Sequence, residues 1–540
     1  HKFPVTVTTK YSTRTSTSTS TQQKQQHEKQ YFWTYYSSIG SITDIDSNEK
    51  HDFTHAIVVI HGSGRNADDY LCAGLSLQSI KEEIEEVEEK NKEEDDYHHM
   101  KLRIHTHHHR RASQTTSDGH NNNNNNNNNN DDNIQTATTT TATATDSSTN
   151  KRRVLVVAPR YLADIDIDTY KNDTSVLRWL EVPTNKDHSE GHTHTWRWGA
   201  DAVVTTTTTT AGLTNSTSMG TINSTRVGIS SFDVLDQLVE YIADSFPSIQ
   251  RIAVIGHSAG GQVVQRWSLL SSSYLWNNSN DNDDNNNNNN RDSGHRHRDP
   301  HHNHPHPLIV AIPSNPRSYC YLDGRRMMPT NPYNNNNHSL WKYAVPNSNL
   351  ISQCPDYNTW QWGLDDGGEL QHDCRYRDIV LDKMNHSLTD LAKRYAQRHV
   401  VYLTGSQDLQ DLDDRCETMT FQGFNRHERA KRYWWSFNEY FHQLTGGAVT
   451  DNIMDIHELE DHGKQELMVM IHDNDDDDDS NDNNNNNNVD DDDGVTHIQS
   501  HSKRTSIWHH NHEMHTVAGS PHDHTLMFQS VASLNAIFGC

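Results

Sequence analysis

The chain has 540 residues, of which 32% are hydrophobic, and it carries a formal net charge of −27 with 39 histidines. Long runs of Asn, Asp, Thr and Ser cannot bury enough apolar surface to offset the entropy of ordering them. About 300 residues remain to form a core, which is the size of one large α/β domain. The acidic balance excludes a general nucleic-acid-binding face, and no stretch reaches the ~20 apolar residues of a membrane-spanning helix.

Low-complexity stretches divide the chain. We expect residues 1–50 to be a low-complexity N-terminal segment. Residues 51–540 are expected to form a single domain with disordered insertions at about 101–150, 277–306 and 473–494. The His tracts in the first two insertions are interpreted as adventitious ligands, so neither a metal nor a cofactor is predicted.

Between the insertions, short β-branched runs alternate with amphipathic stretches, taken here in chain order. The predicted strands are Ala56–Ile60, Val154–Ala158, Ile252–Ile255, Leu308–Ile312, His399–Leu403 and Met514–Val517. The predicted helices are Leu77–Lys90, Ser231–Phe246, Gln262–Leu270, Leu388–Arg398, Arg429–Leu444 and Thr525–Phe538. Alternation of this kind, with near-continuous apolar strands, predicts an α/β fold with a mostly parallel sheet covered on both faces by helices. Ligands of such sheets bind beyond the carboxyl ends of the strands.

A nucleophile elbow is the sharpest motif in the chain. Gly256-His-Ser258-Ala-Gly260 follows one predicted strand and precedes a helix, as the G-x-S-x-G pattern requires. The strained turn would lift Ser258 out of the sheet and leave the amide of Ala259 free to donate to an oxyanion. An ordinary glycine-rich turn between strand and helix is the alternative interpretation.

A second glycine-rich loop follows the first predicted strand. His61-Gly62-Ser63-Gly64 places small residues at the open end of the sheet, and we expect the amide of Ser63 to complete an oxyanion hole with that of Ala259. Gly62-x-Gly64-x-x-Ala67 also satisfies a dinucleotide-binding fingerprint. That alternative needs a second strand about 20 residues later, ending in an acid, whereas a Glu-rich helical stretch follows instead.

A nucleophilic serine needs a base and an orienting acid, which in this architecture follow it in the order acid, then histidine. Asp408 lies just after the strand His399–Leu403 and is the predicted acid. His522 lies in the loop before the closing helix and is the predicted base, with His524 as the alternative. Other acids of the same loop, Asp411, Asp413 and Asp414, are interpreted as a solvated acidic turn.

These motifs resemble the α/β-hydrolase superfamily and, more narrowly, a group of largely uncharacterised, esterase-like serine hydrolases of lower eukaryotes. The blocks that carry the resemblance cover, with the elements between them, about 300 residues. They are His61–Tyr70, Val154–Tyr161, Gly256–Gly261, Ser314–Leu322, Pro355–Leu364, Tyr402–Asp408 and Gly519–Phe528. The chain departs from the pattern in its long Asp-rich insertion between the acid and the histidine.

The resemblance implies a serine hydrolase that cleaves a carboxylic ester or a related small acyl compound without a cofactor. A non-catalytic binding or interaction protein on the same fold remains the alternative from another class, because fold does not determine function. No nucleic-acid or membrane partner is predicted, and the oligomeric state is left open.

Aromatic residues and cysteines concentrate between the catalytic elements. Seven aromatic side chains are open to two interpretations, lining of an acyl pocket or packing of loops onto the sheet. They are Trp196, Trp198, Tyr319, Tyr321, Tyr357, Trp360 and Trp362. Six cysteines and six Asn-x-Ser/Thr sequons favour a secreted protein or one of the endomembrane lumen, although a cytoplasmic location stays open.

Overall fold

The computed structural model describes most of the residues that the sequence analysis assigned to the domain. The described residues are 1–10, 26–91, 153–163, 166, 173–179, 195–207, 222–276, 306–329, 340–365, 374–410, 415–444, 454–455, 468–471, 506–509 and 511–539. The three predicted insertions, 101–150, 277–306 and 473–494, lie outside them except for His306.

Fifteen strands and ten α-helices are found in the described part of the chain. The strands are β1 (Lys2–Lys10), β2 (Gln26–Ser37), β3 (Phe53–Ile60), β4 (Arg153–Arg160), β5 (Asp201–Thr207), β6 (Ile222–Ser230), β7 (Arg251–His257), β8 (Leu308–Ser314), β9 (Arg326–Pro329), β10 (Leu340–Ala344), β11 (His399–Gly405), β12 (Met454–Asp455), β13 (Met468–Ile471), β14 (Ser506–His509) and β15 (His512–Val517). The helices are α1 (Ala67–Asn91), α2 (Ser231–Ser245), α3 (Ala259–Leu270), α4 (Ser348–Gln353), α5 (Arg375–Lys383), α6 (Leu388–Ala396), α7 (Cys416–Met419), α8 (Arg426–Leu444), α9 (His524–Phe528) and α10 (Val531–Phe538).

Eight strands form the central sheet in the order β1-β2-β4-β3-β7-β8-β11-β15. The last six pair in parallel, whereas β2 is antiparallel to both of its neighbours. Only β2 therefore runs against the other strands of this sheet. Helices cover both of its faces, so the predicted α/β-hydrolase fold class is confirmed.

Successive residues of the central strands face opposite sides of the sheet. On β3, Ala56, Val58 and Ile60 belong to one apolar cluster, and Ile57 and Val59 belong to the other. Helices α2, α3, α6 and α8 pack into the first cluster, and α1, α9 and α10 pack into the second. Burial of each Val or Ile side chain stabilises the fold by about 1.5–3 kcal/mol. Coverage on both faces explains why these strands read as continuous apolar runs.

All six predicted strands are present. Among the predicted helices, the closing helix differs most from the structure. The expected single helix 525–538 is two helices, α9 and α10, because Ser530 begins a new one by accepting a hydrogen bond from the amide of Ser533. Helix α1 begins at Ala67, ten residues before the predicted start. Two antiparallel pairs, β5-β6 and β9-β10, were not predicted.

The expected boundary at residue 50 was wrong. Strands β1 and β2 belong to the central sheet, and they bury Phe3, Val5, Tyr31, Trp33 and Tyr35. Single residues separate these side chains within each strand, so those of one strand face the same side of the sheet. The Thr-, Ser- and Gln-rich composition of the segment masked that alternation.

Candidate active site

Ser258 occupies a strained turn between β7 and α3. Its backbone has φ 57° and ψ −114°, in a region that side-chain-bearing residues rarely adopt. The turn is close-packed, because a Cβ added to Gly260 would lie 2.3 Å from the carbonyl oxygen of Ile60. Every residue of α3 is buried, whereas Ser258 itself is partly exposed. Strain of this kind persists only where the surrounding structure enforces it, and it is common at functional sites.

The loop after β3 lies directly against this turn. A Cβ added to Gly62 would be 3.9 Å from the Cβ of Ser258, and the loop turns back through a hydrogen bond from the amide of Arg65 to the carbonyl of Gly62. Ser63, at the tip of the loop, is exposed. Ala259 is the first residue of α3, and first-turn amides of a helix have no acceptor within it. The two amides predicted for an oxyanion hole therefore lie on adjoining segments.

A buried neutral imidazole supports the loop after β3. Nε2 of His61 accepts a hydrogen bond from the amide of Tyr161 at 3.0 Å, and Nδ1 donates to the carbonyl of Gly62 at 2.8 Å. One ring nitrogen accepts and the other donates, so this arrangement requires the neutral form. Burial of the ring, more than any nearby charge, lowers the pKa of His61 from 6.5 to about 4.

Asp408 lies in a tight turn after β11, with its amide bonded to the carbonyl of Gly405. Its carboxylate is 1% exposed and has two donors. Nδ1 of His522 donates to Oδ2 at 2.7 Å, and Nη1 of Arg426 donates to Oδ1 at 3.2 Å. The other candidate acids, 411, 413 and 414, lie outside the described residues.

His522 and His524 have different surroundings. The imidazole of His522 contacts Asp408, as described above. Between the two histidines, Asp523 caps α9 by accepting from the amides of Thr525 and Leu526. His524 stacks face to face on Tyr70, with ring centroids 4.3 Å apart and planes 10° apart, and burial lowers its pKa. Its described contacts are those of a packing residue.

His257 connects the elbow to the histidine loop. Its ring centroid lies 4.3 Å from that of His522, and its Nδ1 is 3.4 Å from the hydroxyl of Tyr70. Burial, followed by the neighbouring imidazole of His522, holds the pKa of His257 well below its usual range. The ring is therefore a neutral neighbour of His522. Because His257 directly precedes Ser258, this contact brings the predicted serine and histidine segments together.

The loop geometry does not suit the dinucleotide alternative. The next described strand after α1 is β4, which begins at Arg153 and ends at Arg160. The dinucleotide fingerprint needs an acidic residue at the end of this strand, and Arg160 is basic. A Cβ added to Gly62 would also lie 2.9 Å from the hydroxyl of Tyr70. The space beside this glycine is thus occupied by protein.

The aromatic residues between the predicted catalytic elements are packed within the protein. All seven are buried. Trp196 stacks on Tyr161, and Nε1 of Trp360 donates to the carbonyl of Trp198. Arg266, buried beneath this layer, donates twice to the carbonyl of Gln361. Of the two interpretations left open by the sequence, these contacts favour packing of the loops onto the sheet.

A disulfide joins two segments of the described chain, one of them shortly after the loop of Asp408. Cys354 and Cys416 are bonded across 62 residues, whereas Cys72, Cys320 and Cys374 are free thiols. The two bonded sulfurs and Glu417 are the one group in the described residues spaced like metal ligands, and a disulfide does not offer thiolates to a metal. None of the described helices has the length and apolar character to cross a membrane.

Three residues of this site were missed by sequence reasoning. Arg426, His257 and Tyr70 contact the predicted catalytic segments, but the sequence motifs assign no catalytic role to any of them. His257 is the first variable residue of the G-x-S-x-G motif, for which the motif predicts no role. Arg426 lies just before the predicted start of its helix, so neither periodicity nor spacing singled it out.

Comparisons with known proteins found distant structural likenesses. No family model and no curated protein matches the chain. A solved structure of poly(aspartic acid) hydrolase-1 from Sphingomonas sp. KT-1 aligns with 94% of this chain and 93% of its own, at 13% identity and a TM-score of 0.35. A poly(3-hydroxybutyrate) depolymerase from Bordetella parapertussis aligns over 93% and 83%, at 13% identity and a TM-score of 0.33. The fold assignment rests on the strand order and direction described above.

Proposed function

We propose that this protein is a serine hydrolase that cleaves a carboxylic ester or a related acyl compound, with Ser258, His522 and Asp408 as its catalytic triad. The observation that carries the proposal is the conformation of Ser258, held at a positive φ between β7 and α3. The strained turn presents a hydroxyl at the carboxyl end of a parallel sheet, where ligands bind.

The proposed mechanism assigns each triad residue one task. His522 accepts the proton of the Ser258 hydroxyl as the serine oxygen attacks the acyl carbonyl carbon. Because Nδ1 of His522 donates to Asp408, Nε2 is the nitrogen left to accept this proton. Asp408 holds the ring in that tautomer and stabilises the imidazolium that forms. Return of the proton expels the alcohol, and water then releases the acid from the acyl-enzyme by the same steps.

Backbone amides are proposed to stabilise the tetrahedral oxyanion. Those of Ala259 and Ser63 are the candidates, because they lie on the two segments that meet at Gly62 and Ser258. The hydrogen bonds of His61 hold the loop after β3, which contains Ser63. The N-terminus of α3 adds the positive end of a helix dipole. No step of this mechanism needs a metal or a cofactor.

A fluorophosphonate probe tests the proposal directly. We expect it to label the folded protein at Ser258, and we expect Ser258→Ala to abolish labelling. Ser352→Ala is a matched control, because Ser352 is an exposed serine on α4 whose hydroxyl donates to the carbonyl of Asn349. A folded protein without labelling would instead support a binding protein on this fold. Labelling unchanged in Ser258→Ala would contradict the assignment of Ser258 as the nucleophile.

The secretory pathway is proposed as the location. The Cys354–Cys416 disulfide supports an oxidising compartment, and Asn385 supports access to glycosylation because its sequon lies in an exposed turn. Non-reducing peptide mapping of the native protein should recover this disulfide and a glycan on Asn385. Free thiols at both cysteines, with unmodified Asn385, would indicate an intracellular protein.

A further inference from the structure

The carboxylate of Asp408 is shared between two donors from different elements. His522 contacts Oδ2, and the guanidinium of Arg426 contacts Oδ1. The same Nη1 of Arg426 donates to the carbonyl of Gln410 at 3.0 Å. Arg426 therefore links the side chain of the acid to the backbone two residues further along its loop.

The position of Arg426 is unfavourable for a cation on other grounds. It is the first residue of α8, where the helix dipole favours negative charge. Its side chain is 15% exposed, and the carboxylate that it contacts is almost fully buried. A pair with this little exposure is poorly screened by solvent, so removal of one partner would leave an incompletely compensated buried charge.

We propose that Arg426 is a positioning residue for the catalytic acid, and that its charge tunes the basicity of the His522–Asp408 pair. The inference rests on the proposed function. With Oδ1 held by Arg426, rotation of the carboxylate is restricted and Oδ2 stays directed at Nδ1 of His522. The guanidinium also offsets part of the negative charge that would otherwise stabilise a protonated His522.

Other titratable groups surround the histidine loop, and they must be weighed against Arg426. They are Asp408 after β11, His257 at the end of β7, Asp69 and Tyr70 on α1, Asp523 and His524 beside His522, and His427 on α8. Burial lowers the pKa of the buried His257 and of the partly buried His524, so neither ring favours a positive charge. Of these groups and Arg426, the guanidinium is the one with a permanent positive charge. Its removal should therefore change the electrostatic potential at His522 more than the removal of any of the neutral groups.

Three variants separate positioning and charge from a merely structural role. Arg426→Gln keeps a hydrogen-bond donor without the charge, and Arg426→Lys keeps the charge. Arg432→Gln is the matched control, because Arg432 lies on the same helix and pairs with Glu428. Hydrolysis of p-nitrophenyl acetate gives kcat, KM and the pH profile of kcat/KM, and thermal unfolding monitors the fold.

We expect Arg426→Gln to lower kcat by about 10- to 100-fold with KM within about twofold, because a misplaced acid disturbs the chemistry rather than binding. Its acid limb of kcat/KM should move to higher pH by about half to one unit, since loss of the positive charge favours the protonated imidazole. Arg426→Lys should keep the wild-type acid limb and a kcat within about threefold of wild type. Arg432→Gln should behave as wild type.

An acid limb of Arg426→Gln that coincides with that of wild type would overturn the inference, as would an equal loss of kcat in the Lys and Gln variants. If Arg426→Gln does not fold, the Lys variant decides, because a shifted acid limb with the charge retained would contradict the role of the charge. A wild-type protein with no Ser258-dependent hydrolysis or labelling overturns the proposed function and this inference together. An active wild type with unaffected Arg426 variants overturns only this inference.

Discussion

Acidification should destabilise this protein through one buried histidine, His61. Its hydrogen bonds to Tyr161 and Gly62 require the neutral ring, and burial lowers its pKa from 6.5 to about 4. In the unfolded chain the same imidazole would bind a proton below its ordinary pKa. The unfolded state therefore binds more protons than the folded state in this range, and stability falls as the pH falls.

The size of this effect follows from the two pKa values. The stabilisation from a neutral His61 is almost complete above pH 6.5 and is lost as the pH falls towards about 4. Between pH 7 and pH 5 the loss in unfolding free energy is about 1.8 kcal/mol, and between pH 7 and pH 4 it is about 2.8 kcal/mol. A change of this size is a large fraction of the stability of an ordinary domain.

Urea unfolding of wild type and His61→Gln at several pH values isolates the contribution of His61. Oε1 of a glutamine can accept the hydrogen bond from Tyr161, but the amide does not titrate. We expect His61→Gln to be less stable than wild type at pH 7 and to lose about 1.8 kcal/mol less between pH 7 and pH 5. His51→Gln, at an exposed histidine, controls for the removal of one imidazole. Equal losses in wild type and His61→Gln would refute the reasoning.

Three further predictions concern the triad, the disulfide and the elbow. His522→Ala should lower kcat for p-nitrophenyl acetate by about 10³-fold or more and His524→Ala much less, and the reverse ranking would place the base at His524. Cys354→Ser with Cys416→Ser should lower the unfolding free energy in urea by about 4 kcal/mol, because the bond closes a loop across 62 residues; unchanged stability would contradict this. Gly260→Ala would place a Cβ 2.3 Å from a backbone oxygen of β3 and should abolish fluorophosphonate labelling, so normal labelling would show that the elbow tolerates a side chain.

The parallel strands were predictable because consecutive residues of each strand are buried and therefore apolar. A strand covered on both faces has no polar side, as in Ile57–Ile60 and Ile252–Ile255, and its composition alone indicates it. Strands β1 and β2 bury every second side chain at Phe3 and Val5 and at Tyr31, Trp33 and Tyr35, within a segment rich in Thr, Ser and Gln. Composition averaged over such a segment hides an alternation that concerns only every second residue.

The candidate triad could be placed from sequence because each member follows directly from a strand or precedes a helix. Ser258 comes immediately after β7, Asp408 three residues after β11, and His522 two residues before α9. In a parallel sheet these ends meet at one edge, so chain order alone brings the three segments together. His522 was preferred to His524 because it lies in the loop before the helix, and in the structure Asp523 caps that helix, so His522 precedes the cap and His524 follows it.

The surroundings of the triad could not be placed in this way, because they depend on how helices pack across the sheet. Tyr70 and His257 are 187 residues apart, and they meet because α1 packs against β3 and β4, beside the end of β7. Arg426 reaches Asp408 because α8 begins beside the β11 loop, a geometry set by the apolar face of α8 further along the helix. If Arg426 acts as we propose, the residues that bury α8, such as Tyr433 and Phe437, also determine where the charge beside the catalytic acid lies. Substitutions in that apolar face would then alter the pH profile without touching the triad.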